Sequence, residues 1–156
     1  MFDTFIAPLR CPVCNGDAPE AELQTYLRGA SADGSALRVG DQLDAADLTT
    51  ESLLDAGYAL VREPEVGGPI RLLDVWICPS CQAEPWAMVE IADGQLRAVT
   101  AVVLDRPTLL SAHFISETNA AILADSVRGD LEGADEDVAE SVVEDVVDVL
   151  RRRLPG

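Results

Sequence analysis

Four cysteines stand in two Cys-Pro-x-Cys elements, Cys11-Pro12-Val13-Cys14 and Cys78-Pro79-Ser80-Cys81. Two residues between thiols let one tight turn aim both sulfurs at a common point. The proline fixes one backbone dihedral of that turn and removes one donor. The remaining N–H groups beside the sulfurs can donate to thiolates and spread their charge. Two such turns facing each other supply four thiolates in a tetrahedron, the ligand set of closed structural zinc sites. The expectation is one structural Zn2+ held by Cys11, Cys14, Cys78 and Cys81. Iron in the same ligand set and redox dithiols are the alternatives. Against redox work, a thioredoxin-type pair opens a helix, whose dipole lowers the thiol pKa, and no helical pattern follows either turn here.

A catalytic zinc keeps a vacant or water-filled position, and four thiolates leave none. The lone His113 lies 32 residues beyond Cys81, on an apolar run at 109–115. It reads as a partly buried helix residue, not a fifth ligand. No Gly-x-Gly-x-x-Gly or Walker-type phosphate loop occurs, and no nucleophile elbow surrounds Ser111. The expectation is therefore a non-enzymatic protein. Trp76 and Trp86 bracket the second cysteine turn and read as packing that shields a metal from water. An exposed stacking platform for bases would need neighbouring cations, and Arg71 and Arg97 are outnumbered by Asp74, Glu84, Glu90 and Asp93.

The elements that must position the cysteines are short strands. The first turn lies between strands expected at 5–7 and 21–27, the second between strands at 70–77 and 86–92. On these flanking strands and the motifs Cys11-Pro12-Val13-Cys14-Asn15-Gly16 and Cys78-Pro79-Ser80-Cys81-Gln82-Ala83, the sequence resembles the zinc-ribbon and rubredoxin-like group of folds. The resemblance covers about a third of the chain and implies hairpin–metal–hairpin architecture. Ribbons of this kind usually place glycine directly after the second cysteine. Here Gly16 comes one residue late, and the second turn carries Gln82 and Ala83. The 63 residues between Cys14 and Cys78 exceed a compact ribbon and must hold an insertion.

That insertion reads as a helix from Thr50 to Ala56, capped by Thr50 and closed by Gly57, and a hairpin at 58–70. Strands at 58–62 and 70–77 flank its Gly67-Gly68-Pro69 turn. Residues 86–92 and 95–104 form the best hairpin, with Asp93-Gly94 at its tip. Residues 108–128 read as uneven helix that residues 116–119 can break. Residues 135–154 read as a helix, because Val138, Val142, Val146, Val149 and Leu150 make one apolar stripe. Arg151, Arg152 and Arg153 in its last turn complement the helix dipole. The fold class is α+β: an antiparallel zinc-ribbon-like β region with an insertion at 1–106, then one or two C-terminal helices at 107–156. Those helices pack on the β region or on a partner, and the valine stripe leaves a homodimer open.

Eleven basic residues, all arginine, face 28 acidic ones for a net charge of −17. Such a charge argues against sequence-independent nucleic-acid binding, which draws on cationic contacts to phosphate, and against docking on anionic membranes. The N-terminal eight residues lack the pattern of a secretory signal. No apolar run approaches the roughly 18 residues of a membrane span. Four cysteines in a reducing cytoplasm are metal ligands or redox thiols before they are disulfides. Residues 130–148 hold nine acidic and no basic residues, among them Asp130, Glu132, Asp135, Glu136, Asp137, Glu140 and Glu144. Their spacing is not that of a calcium loop, and such a face suits a basic protein partner. The leading expectation is a non-catalytic zinc-binding interaction module of adaptor or inhibitor type. The alternative is a nucleic-acid-associated zinc ribbon of the transcription or translation machinery, with Arg10, Arg28 and Arg38 as its local basic patch.

Overall fold

A computed structural model describes residues 3–25, 36–129 and 146–155. Its first element, β1 (Asp3–Arg10), alternates by strand parity: Asp3, Phe5, Ala7 and Leu9 are buried. The chain turns through the first cysteine pair into β2 (Asp17–Thr25), antiparallel to β1. Ala18 and Ala21 both face inward despite their odd spacing. The register shifts between Ala7 and Leu9, and the resulting bulge restores the alternation. β3 (Ala36–Arg38) runs parallel to β1 and completes a three-stranded sheet of order β2-β1-β3.

The second sheet has five strands in the order β4-β8-β5-β6-β7. They are β4 (Tyr58–Leu60), β5 (Ile70–Val75), β6 (Trp86–Ala92), β7 (Gln95–Val102) and β8 (Phe114–Ser116). The β6–β7 hairpin turns at Asp93 and Gly94 as expected, with φ of 54° and 70°. Two successive positive φ values give the turn whose twist matches that of paired strands. Adjacent residues of the central strands enter different cores. Leu72, Phe114 and Val89 join Phe5, Leu23 and Leu37 between the two sheets. Leu73, Ile115 and Trp86 join Leu109, Ala120 and Ala124 on the opposite face. The result is three layers: small sheet, large sheet, helices. Each fully buried leucine contributes roughly 1.5–3 kcal/mol, so β5, with Leu72 and Leu73 both buried, stabilises both cores.

Three expectations change. Residues 108–128 are not one uneven helix. They form the end of α2 (Arg106–Ser111), then strand β8, then α3 (Glu117–Gly129). Phe114 and Ile115 bury side chains on both faces of a sheet, which a two-residue alternation permits and a surface helix does not. Residues 58–62 and 70–77 do not pair as a hairpin, because β8 lies between them, antiparallel to β4 and parallel to β5. The N-cap of α1 (Thr50–Asp55) is Thr49, whose side chain accepts from the Ser52 amide. Gly57 ends that helix with φ of 94°.

Of the helix expected at 135–154, α4 (Val146–Arg153) lies among the described residues. Its Val147, Val149 and Leu150, with Leu154, are buried in the core shared with α3 and the large sheet. Arg151 pairs with Asp148 and also donates to the Val61 carbonyl. Among the described residues, no helix is long and apolar enough to cross a membrane.

Candidate metal centre

Two hairpins from different sheets deliver the cysteines. The β1–β2 turn carries Cys11 and Cys14; the β5–β6 connection carries Cys78 and Cys81. All four sulfurs lie within 4.8 Å of one another. Cys11 Sγ is 3.7 Å from Cys81 Sγ, and Cys14 Sγ is 3.7 Å from Cys78 Sγ. A tetrahedral metal with bonds of about 2.3 Å to sulfur requires sulfur–sulfur edges of roughly 3.8 Å. The cross-turn pairs meet that requirement, so the cluster can hold one metal ion. A disulfide needs its sulfurs at about 2.05 Å, and all four cysteines are free.

The two turns are built alike. The Cys11 amide donates to the Gly16 carbonyl at 3.0 Å, and the Cys78 amide to the Ala83 carbonyl at 2.9 Å. The Asn15 amide returns to the Cys11 carbonyl, and the Gln82 amide to the Cys78 carbonyl, both at 2.9 Å. Val13 N–H donates to Cys11 Sγ and Gly16 N–H to Cys14 Sγ, each at 3.4 Å. Asn15 and Gln82 have φ of 59° and 63°. They take the left-handed backbone for which ribbons ordinarily use glycine. Gly16 has a different reason. A Cβ there would stand 3.2 Å from Cys14 Sγ and 3.4 Å from Ser80 Oγ of the opposite turn.

Electrostatics favour a cation at the centre. Backbone N–H donation, first from Cys81 and then Ser80, lowers the Cys78 thiol to about 6 despite desolvation by its surroundings. The Ala83 amide acts to lower the Cys81 thiol, but desolvation and the neighbouring Cys11, Cys14 and Cys78 thiols push it up to about 12. Thiols this close cannot all ionise unaided, since like charges raise one another's pKa. A metal held by Cys11, Cys14, Cys78 and Cys81 would take the place of their protons. Cys11 and Cys78 are buried, and Cys14 and Cys81 exposed. Trp76 is buried in the same core as Cys11 and Cys78, whereas Trp86 lies in the other core. Neither ring is an exposed platform for bases.

The chain matches no protein-family model, no curated protein and no solved structure. What the ribbon resemblance retains is the four-cysteine cluster itself. The remaining predicted positions divide as follows. Asp130, Glu132, Asp135, Glu136, Asp137, Glu140 and Glu144 lie outside the described residues, as does Arg28. Arg10 pairs with Asp17 at 3.2 Å and Arg38 with Glu20 at 3.1 Å, all exposed. His113 is not part of the four-cysteine cluster and precedes a strand instead of riding a helix. Its Nδ1 accepts from the Arg71 amide at 3.0 Å. Burial and then the charges of Arg62 and Arg71 hold its pKa below the usual range.

One polar cluster was not anticipated. Tyr58 Oη donates to Asp74 Oδ2 at 2.6 Å and lies 2.8 Å from Thr25 Oγ1, all three buried between the sheets. Burial raises Asp74 to about 7, although the Tyr58 hydrogen bond opposes the rise. The sequence signal was parity: Asp74 alternates with Leu72 of β5 and with Trp76 just beyond the strand, all three buried.

Proposed function

We propose that the chain is a non-catalytic zinc-binding interaction module, in which one structural Zn2+ joins the two hairpins. One observation carries this reading: turns from two different sheets bring four sulfurs within 4.8 Å of one another. Zinc is the metal of choice because four thiolates in a closed tetrahedron are its structural ligand set. With all four positions taken by protein, the metal's contribution is folding free energy. The proposal places the protein in a reducing cytoplasm, where thiolates stay available to metal.

The partner half of the proposal rests on charge. A chain of net charge −17 with nine acidic residues at 130–148 attracts a basic protein, with steering that weakens as salt rises. The nucleic-acid alternative has less support, because Arg10 and Arg38 are already paired with Asp17 and Glu20.

The deciding experiment is metal content of the untagged protein by mass spectrometry, with a free-thiol count. One zinc per chain and no reactive thiols is the expected result. Bound iron, or two disulfides without metal, would overturn it and move electron transfer or thiol exchange to the front.

A further inference from the structure

β2 is an outer strand of its sheet, paired with β1 on one side and with no strand on the other among the described residues. A cleft of about 730 Å³ runs along that free side. Ala18, Pro19, Glu20, Ala21 and Glu22 line it consecutively. Both the inward-facing Ala18 and Ala21 and the outward-facing Pro19, Glu20, Glu22 and Gln24 line it, with Thr4 of β1, so the cleft reaches the rim of β2. The opposite wall is Val75, Trp76 and Ile77, the chain leaving β5 for the second cysteine turn, with Pro79 and Glu84 of that turn. Each wall thus continues into one of the two hairpin turns that meet at the four sulfurs.

The wall chemistry is one-sided. Every ionisable side chain of the lining is acidic: Glu20, Glu22 and Glu84. Glu20 already holds Arg38. Glu22 and Glu84 form no ion pair among the described residues. Ala18, Ala21, Val75 and Trp76 add apolar surface, and Ile77 is 56% exposed. Trp76 also lines the cleft, is itself 1% exposed, and its Nε1 is buried without a hydrogen-bond acceptor. An unpaired buried donor is costly and rare. Pro19 lacks an N–H, and the β1–β2 register shift falls beside it, so the usable edge begins at Ala21.

We propose that this cleft binds an extended peptide carrying arginine or lysine side chains. The peptide adds a strand to β2 from Ala21 to Gln24, with its cations against Glu22 and Glu84. Strand addition takes affinity from main-chain hydrogen bonds and specificity from alternate side chains. This inference rests on the interaction-module reading and names its partner class.

The test is a titration of zinc-loaded, 15N-labelled protein with the capped peptide Arg-Val-Arg-Val-Arg. A Glu-Val-Glu-Val-Glu peptide and an Arg peptide methylated at alternate backbone nitrogens are the controls. The expected result is saturable shifts of the Ala21–Gln24 amides and the Trp76 indole N–H, seen with the unmethylated Arg peptide alone. The double variant Glu22→Gln, Glu84→Gln should weaken binding by roughly three- to tenfold, the scale of two exposed ion pairs. Equal binding by the methylated peptide, or by the double variant, overturns the proposal. So do shifts confined to residues 130–148, which would leave the interaction-module reading standing without this cleft. Absence of any shift, with zinc bound and the fold intact, overturns the cleft alone.

Discussion

Asn15 and Gln82 are equivalent: each follows the second cysteine of its turn, and each is left-handed, with φ of 59° and 63°. Each amide returns to the carbonyl of the first cysteine at 2.9 Å. Two segments 67 positions apart thus fold into one local structure, and both place a side chain in the left-handed region that favours glycine.

That strain predicts a stabilising change. Gln82→Gly should raise stability by about 0.5–1 kcal/mol, since glutamine gains little in the left-handed region. Asn15→Gly should gain less, because asparagine tolerates that region better. Gly16→Ala should do the reverse and weaken metal binding, its methyl crowding Cys14 Sγ and Ser80. Thermal melts of the zinc-loaded variants check all three.

Serine at any of the four cysteines should cost similar metal affinity, although Cys11 is buried and Cys81 exposed. The loss should exceed the roughly hundredfold that removing a ligand's outer hydrogen-bond partner costs. Competition with a chromogenic chelator measures it. A large effect at Cys11 beside none at Cys81 would mean that the cysteines act by packing, not ligation.

Asp74 makes stability depend on pH. Its folded pKa is raised from 3.8 to about 7, so the folded state holds a proton that the unfolded state releases. The contribution is fully present below about 3.8 and is lost as pH rises to about 7. The span corresponds to roughly 4 kcal/mol. Asp74→Asn keeps an acceptor for Tyr58 and cannot titrate. The stability of the native protein relative to this variant should therefore fall between pH 4 and 7 and stay level above. Parallel denaturation curves across that range would falsify the assignment.

His113 acts with the opposite sign. Its folded pKa is lowered, chiefly by burial, so its contribution is present above the ordinary 6.5 and is lost as pH falls below it. Protonation at Nδ1 would also end acceptance from the Arg71 amide. His113→Asn offers an oxygen to that amide without titrating. Urea denaturation should show the variant gaining on the native protein as pH drops from 7 to 5.

Phe114 tests the strand that replaced part of an expected helix. It is fully buried between the sheets and pairs with Leu60 on one side and Leu72 on the other. Phe114→Ala should cost about 3–5 kcal/mol by cavity formation. Were it a helix surface residue, the cost would fall within about 0.5 kcal/mol.

The sequence by itself determined what depends on neighbours along the chain. The Cys-Pro-x-Cys spacing marked both turns, Asp93-Gly94 marked a hairpin, and short β-type runs beside these turns marked β6, β7 and part of β1, because turn sterics and strand propensity act over a few residues. It also grouped the four cysteines as a candidate ligand set, and the fold brings their sulfurs within 4.8 Å of one another. Tertiary structure decided what depends on distant partners. Phe114 and Ile115 carry the apolar content of a helix or a strand equally well. Only β4 and β5, with hydrogen-bonding edges to fill, make them β8. Asp74 reads as an ordinary strand carboxylate until Tyr58 and Thr25 close over it. The cleft beside β2 exists because two hairpins, far apart in sequence, converge on four sulfurs, and no local pattern records that convergence.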